Sequence, residues 1–307
     1  MQIRLLGTAA GGGVPQWNCN CPICREARLG SGRVQPRTQC SVAITADERH
    51  WFLVNASPDI RTQLEQFPAL QPPAERARGS AIEAILLTSA DLDHTLGLLS
   101  VREGEQLVVH ATAAIERCLT EGISISPVLR DFCGLRWIEA APQLSPLRLR
   151  DGAESGLLYE MIPLPGGPPR FMRRAGTAPN SANVAGYRIS DKKTGGRALV
   201  LPGVARIDSK LRSLLAECDV LLFDGTFWSE NEMSERGVGT LSASEMGHVP
   251  ISGAQGSLKV LAELKLRHKI YIHINNTNPI LVEDSGERAQ VMAAGCAVGM
   301  DGMDFVV

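Results

Sequence analysis

Apolar runs in this chain are joined in two different ways, and that mixture limits the folds open to it. "QCSVAITA" (39–46) and "HWFLVNA" (50–56) face each other across the short polar "DER", which is a hairpin pattern. "EAILLTS" (83–89) instead passes into "TLGLLSVRE" (95–103), which begins a helix. The strand "QLVVHAT" (106–112) likewise feeds the helix "AAIERCLTEG" (113–122), which ends on glycine. "QIRLLG" (2–7) reads as the first strand, and "SPDIRTQLEQF" (57–67) opens on a Ser-x-Asp start suited to capping a short helix. Later, "LLYEMIPLP" (157–165), "VAGYRISD" (184–191), "RALVLPG" (197–203) and "CDVLLFDG" (218–225) read as strands. "GSLKVLAELK" (256–265) is an amphipathic helix leading into the strand "KIYIHIN" (269–275). Hairpins mixed with strand–helix units argue for an α/β fold of two sheets with helices outside, not for a single parallel sheet. "PPAERARG" (72–79) and "PGGPPRFMRRAGTAPNSAN" (165–183) are poor in core residues and read as surface loops or a lid.

The 307 residues suffice for one large domain or two small ones, and for a substantial core. A formal net charge of −2 gives no global basic field, which argues against nucleic-acid or membrane-surface binding. No apolar stretch approaches the roughly 20 residues of a membrane span. The opening "MQIRLLGTAAGGGVPQ" is too short in its apolar part for a secretory signal, so a soluble cytoplasmic protein is expected. In such a chain the eight cysteines are expected as thiols or metal ligands, not disulfides. Cys40, Cys118, Cys133, Cys218 and Cys296 stand among apolar neighbours and read as packing residues.

The other three cysteines, Cys19, Cys21 and Cys24 in "WNCNCPICR", form a C-x-C-x2-C run. Three thiolates in one loop can converge on a tetrahedral Zn2+, whose charge favours the thiolate form. A closed site of that kind serves folding. A second constellation is "ILLTSADLDHTLGLL" (85–99), where an apolar strand delivers Asp91, Asp93 and His94 within four residues. His273 in "YIHINNTNP" (271–279), taken alone, reads as a core histidine. Both segments, however, are apolar strands that end abruptly in polar residues, as strand-end sites do. A third pair is Asp224, ending the strand in "LLFDGTFW" (221–228), and His248 in "EMGHVPIS" (245–252), ahead of a helix beginning near Gly253. Either can line a pocket; equally, Asp224 can cap a turn and His248 can bind loop backbone. "GTAAGGG" (7–13) matches no phosphate-binding pattern and reads as a turn that lets backbone approach the site.

Together these residues resemble the metallo-β-lactamase superfamily, whose four-layer αββα sandwich carries H-x-H-x-D-H after a strand. The frame "LLTSADLDHTLGLL" fits, with Ser89 and Asp91 where the two leading histidines would stand. Asp93 and His94 match the closing Asp-His, and His273 matches the last metal-binding histidine. The cysteine loop (17–25) looks like the structural zinc loop of the phosphodiesterase branch called PhnP. That branch has a histidine three residues after the counterpart of His273; here Asn276 takes its place and is carried as the candidate fourth zinc ligand. The resemblance implies one domain over 1–307.

"RLLGTAAGGGVPQWNCNCPICREAR", "TSADLDHTLGLL", "DGTFW", "MGHVPIS" and "YIHINNTNPIL" are similar, from end to end, to the branch that serves pyrroloquinoline quinone (PQQ) biosynthesis. Hydrolytic members of the superfamily use two metals. Here Ser89 and Asp91 spoil the first site, "IPLPGGPPRF" lacks its third histidine, and the bridging Asp expected near "LVLPGVARI" is absent. What survives, Asp93, His94 and His273, is the two-histidine, one-carboxylate set of non-heme Fe(II) oxygenases. The resemblance therefore implies a structural Zn2+, an active-site Fe2+, and O2-dependent hydroxylation of the tyrosine ring of a Glu-Tyr precursor of PQQ. Asp91 is expected as an extra ligand or an acceptor behind the ligands, and Asp224 and His248 in substrate orientation or proton transfer. The alternative is a non-catalytic carrier in transport of PQQ or its precursor toward the periplasm. A residual zinc hydrolase is least favoured, because its hydroxide would lack the second metal. Expected partners are a tyrosine-containing dipeptide or PQQ precursor, O2, other proteins of that pathway, and a second copy of the chain.

Overall fold

The computed structural model describes residues 1–72, 74–172 and 182–307. Of the stretch read above as a lid, 173–181 lies outside the described residues. The chain divides into two compact units, each discontinuous in sequence. The first comprises Met1–Leu6, Ser41–Arg197 and Gly302–Val307; the second comprises Gly7–Cys40 and Ala198–Asp301.

The first unit holds β1 (Gln2–Gly7, up to Leu6), β2 (Ser41–Thr45), β3 (Trp51–Val54), β4 (Ile82–Leu86), β5 (Leu107–Ala111) and β6 (Leu135–Glu139). It also holds β7 (Ser145–Arg148), β8 (Glu154–Leu164), β9 (Val184–Asp191) and, near the C-terminus, β14 (Asp304–Val306). One sheet runs β14-β1-β2-β3-β4-β5-β6. The expected hairpin is present: β2 and β3 are antiparallel, with Val42 opposite Val54. From β3 onward the pairing is parallel, with Leu53 opposite Ile85 and Ile85 opposite Val109. Strands β7, β8 and β9 pair antiparallel. Every residue of β2 and β3 is buried, as unbroken apolar runs require when both faces are covered. Trp51, Leu53, Ile85, Val109 and Ile115 belong to one core cluster, in which the Trp51 and Phe67 rings meet edge to face at 5.0 Å.

The second unit holds β10 (Arg197–Leu201, from Ala198), β11 (Val220–Asp224), β12 (His268–Ile272) and β13 (Ala297–Val298), all paired parallel. Their C-terminal ends therefore share one edge, with Asp224 opposite Ile272. Buried Lys269 on β12 donates to the carbonyls of Leu261, Leu264 and Ala294, at the C-terminal ends of helices Ser257–Glu263 and Gly286–Ala293. A cation at helix carbonyl ends satisfies acceptors that the helices leave unpaired. It also ties the strand that leads to His273 to both helices.

Several elements differ from the sequence expectation. The run 95–103 is two short turns, Leu92–Thr95 and Gly97–Ser100, so helical structure begins already beside Asp93. A Cβ on Gly97 would stand 2.2 Å from the Ser57 carbonyl, so only glycine lets the chain pass there. The helix in 57–67 spans Ile60–Glu65, and no side-chain cap bond forms at Asp59. The helix after His248 starts at Ser257, not near Gly253. Strand β12 stops at Ile272, so His273 follows the strand and does not lie within it.

Candidate metal centre

In the second unit Cys21 caps the helix Pro22–Leu29, its sulfur accepting from the Cys24 amide at 3.4 Å, with Pro22 in the first turn. The Gln16 amide donates to Cys24 Sγ at 3.4 Å and the Cys21 amide to Cys19 Sγ at 3.5 Å. Backbone donors aimed at sulfur favour the thiolate. The three sulfurs lie within 4.8 Å of one another, as three corners of a tetrahedron around a zinc with Zn–S of about 2.3 Å require. Asn276 Nδ2 stands 3.1 Å from Cys19 Sγ, 3.9 Å from Cys21 Sγ and 3.3 Å from Cys24 Sγ. The amide thus caps all three sulfurs, and turning it over would put Oδ1 at the same point. Burial pushes the Cys24 thiol up to about 11, and the neighbouring cysteines add to this. Burial also acts upward on Cys19, but hydrogen bonds from Cys21, Cys24 and Asn276 outweigh it and hold that thiol below its ordinary value. A dication held by these cysteines would supply the charge that thiolate formation at Cys24 requires.

Still in the second unit, Asp224 ends β11 with its side chain fully buried. Its Oδ2 accepts from His248 Nδ1 and from the Val204 amide, both at 2.7 Å. Its Oδ1 accepts from the Thr226 amide at 3.0 Å and the Thr226 hydroxyl at 2.6 Å. Four donors meet the four acceptor sites of one carboxylate, which is the pattern of an ionised acid. Burial alone would raise the Asp224 carboxyl, but His248 beside it, its hydrogen bond and His273 hold it below the usual carboxylate value. Asp224, expected in substrate orientation or proton transfer, is fully buried with its acceptor sites taken by Val204, Thr226 and His248. The His248 and His273 rings stack with centroids 5.4 Å apart, and Thr226 Oγ1 lies 3.1 Å from His248 Nδ1 and 2.8 Å from His273 Nδ1. Asp224, His248 and His273 do bring potential ligand atoms within 4.8 Å of one another. The Thr226 hydroxyl lies within 3.1 Å of a polar atom of each of the three.

His273 itself is left-handed, φ 55°, a conformation that costs a non-glycine residue about 1–2 kcal/mol. Its neighbours hold it there. The Gly225 amide binds the Ile272 carbonyl, Ile274 bonds Thr8 and Ala10 on both its polar groups, and the Asn275 amide binds the Thr226 carbonyl. The glycine-rich turn thus acts as expected, bringing backbone against the residue after His273.

In the first unit, β4 runs out through Thr88 and Ser89 to Asp91, Asp93 and His94. Asn55, also left-handed at φ 64°, accepts from the Thr88 amide and hydroxyl. His94 is buried, its Nδ1 2.9 Å from Ser89 Oγ and 3.3 Å from Thr88 Oγ1. Ser89 in turn donates to Asp91 Oδ2 at 2.8 Å. Asp93 Oδ2 lies 3.7 Å from His94 Nε2, a separation suited to two ligands of one ion. The sequence carries one signal for these contacts of Ser89 and Thr226, a hydroxyl two residues from an aspartate in "SAD" and "DGT".

The beta-lactamase superfamily domain matches residues 50–274. The chain is 45% identical over 306 residues to the coenzyme PQQ synthesis protein B of Azotobacter vinelandii and 44% identical over 312 residues to that of Cupriavidus necator, covering 99% of each pair. The structure of zinc-bound PqqB from Methylobacterium extorquens superposes with a TM-score of 0.90 at 38% identity, over the whole of both chains. A diphosphatase of the PhnP family shares the fold, with a TM-score of 0.68 at 20% identity over 99% of this chain and 96% of the other. The expected metallo-β-lactamase fold, two mixed sheets with helices around them, is therefore present.

Proposed function

Because the chain belongs to the beta-lactamase superfamily and, within it, to the coenzyme PQQ synthesis protein B family, we propose that it serves PQQ biosynthesis as a non-heme iron hydroxylase. The substrate of this reading is the tyrosine ring of a Glu-Tyr precursor. Asp93, His94 and His273 would hold Fe(II), and Cys19, Cys21, Cys24 and Asn276 a structural zinc.

The observation that carries the reading is the donor set. Two imidazoles and one carboxylate are the protein ligands of Fe(II) oxygenases, which keep open positions for O2 and substrate. In the first unit, Asp93 Oδ2 and His94 Nε2 lie 3.7 Å apart, while Ser89 and Thr88 engage Nδ1. In the second unit, Thr226 engages His273 Nδ1. A histidine that hands its other ring nitrogen to a hydroxyl or carboxylate is dressed as metal ligands are. Bound Fe(II) would supply the activation of O2. Among the chain's own residues, His248 is the proton carrier, with Asp224 holding its Nδ1 proton and favouring the charged ring. Asp91 does not reach for the metal in this reading; it is the acceptor behind Ser89.

The test is anaerobic loading with Fe(II), then 18O2 and the dipeptide Glu-Tyr, followed by mass spectrometry. Label in the tyrosine ring supports hydroxylation. Tight binding of the dipeptide without turnover would replace it with the carrier reading, and cleavage of a phosphodiester by the zinc form would restore the hydrolase.

A further inference from the structure

The two histidines assigned to the metal lie in different compact units, yet each is backed in the same way. In the first unit Ser89 Oγ sits 2.9 Å from His94 Nδ1 and donates its proton to Asp91 Oδ2 at 2.8 Å. In the second, Thr226 Oγ1 sits 2.8 Å from His273 Nδ1 and donates to Asp224 Oδ1 at 2.6 Å. A hydroxyl has one proton. Once it is given to a carboxylate, the oxygen can only accept from the ring, so the imidazole carries its proton on Nδ1. The lone pair of the neutral ring is then on Nε2.

Competing uses of each hydroxyl leave this assignment in place. Thr226 Oγ1 also lies 2.9 Å from the His273 carbonyl. The ionised Asp224 is both nearer and the stronger acceptor. His248 Nδ1 is 3.1 Å from the same hydroxyl but 2.7 Å from Asp224 Oδ2, so its proton goes to the carboxylate. Thr88, the second hydroxyl at His94, donates to Asn55 Oδ1 at 3.0 Å and so faces His94 as an acceptor too.

We infer that Ser89 and Thr226 are positioning residues: each hydroxyl holds a metal-binding histidine in the tautomer that offers Nε2, relaying the pull of Asp91 or Asp224. Ser89 and Asp91 occupy the places where the superfamily pattern has its leading histidines. In this chain those two places hold a remaining histidine in position. The inference rests on the ligand assignment under "Proposed function".

Nuclear magnetic resonance of histidine-labelled, iron-free protein, with the cysteine loop zinc-loaded, reads the tautomers directly. His94 and His273 are expected Nδ1-protonated in the parent chain. Thr226→Val should release His273 from that form and weaken Fe(II), measured against a competing chelator, by about 10–100-fold, as loss of such supporting groups does. Thr226→Ser should restore both readings. Ser89→Ala should weaken Fe(II) less, because Thr88 still faces His94. A Thr226→Val chain that is folded and keeps both the Nδ1-protonated ring and the parent affinity overturns the inference. Failure of the ligand assignment shows separately, as His273→Ala binding Fe(II) like the parent, and that result would overturn the inference with it.

Discussion

Raising the pH should load this fold with a charge it cannot solvate, through Glu232. Its side chain is 3% exposed. One oxygen accepts from the Thr277 hydroxyl at 2.5 Å and the other from the Trp228 amide at 2.6 Å, tying that loop to the segment that follows His273. Burial pushes the carboxyl from 4.5 up to about 7, against these two hydrogen bonds, which act downward. Between those values the folded chain keeps a proton that the unfolded chain has released, so stability falls as pH rises. The full loss is present above about pH 7 and vanishes below 4.5. At about 1.4 kcal/mol per pH unit the gap corresponds to about 3 kcal/mol. Glu232→Gln keeps the shape but cannot ionise, so it should match the parent near pH 4.5 and exceed it near pH 8. With an unfolding entropy of about 2.1 cal/mol/K per residue, the difference is about 5 °C in melting temperature. Paired thermal melts of parent and variant across that range cancel the titration of every other group. A difference that stays constant with pH, or a variant less stable above pH 7, would refute the reasoning.

Other perturbations address the metal sites and their scaffold. Cys21→Ser should lose zinc and melt lower, since a structural zinc contributes folding free energy directly and a hydroxyl replaces thiolate poorly; full zinc by elemental analysis and an unchanged melting temperature would reverse that assignment. His273→Ala should lose most bound Fe(II), while His248→Ala should keep it and lose turnover by about 10²–10⁴-fold; iron lost with His248 and kept without His273 would exchange their roles. Gly97→Ala should cost at least about 3 kcal/mol in denaturant unfolding, because its Cβ meets the Ser57 and Ala56 carbonyls and has backbone on that side. A Gly97→Ala chain as stable as the parent would mean that the turn beside His94 can move.

Strand–helix order and the hairpin were legible in the chain because each is written locally, whereas Asp93, His94 and His273 became ligand candidates through the family resemblance. Apolar runs such as "VLLFD" and "WFLV" announce strands buried on both faces, and three cysteines in one loop announce a metal wherever the fold places them. Strands β6 and β7 have little sequence signal, being short and half-exposed, and Pro22–Leu29 begins within the cysteine run, whose spacing reads as a metal loop. Asn276 became a ligand candidate only through the resemblance to the PhnP branch, where a histidine stands at its place; its position over all three sulfurs depends on residues about 250 positions apart. The roles of Ser89, Thr226 and Glu232 had no pattern to carry them. A hydroxyl's role depends on which groups meet it within about 3 Å, and a carboxyl's ionisation depends on how much water the packed chain leaves around it. His273 shows the same limit in the backbone. Its apolar neighbours predict a strand, and only the bonds from Gly225, Thr8, Ala10 and Asn275 around it turn it left-handed at the strand's end.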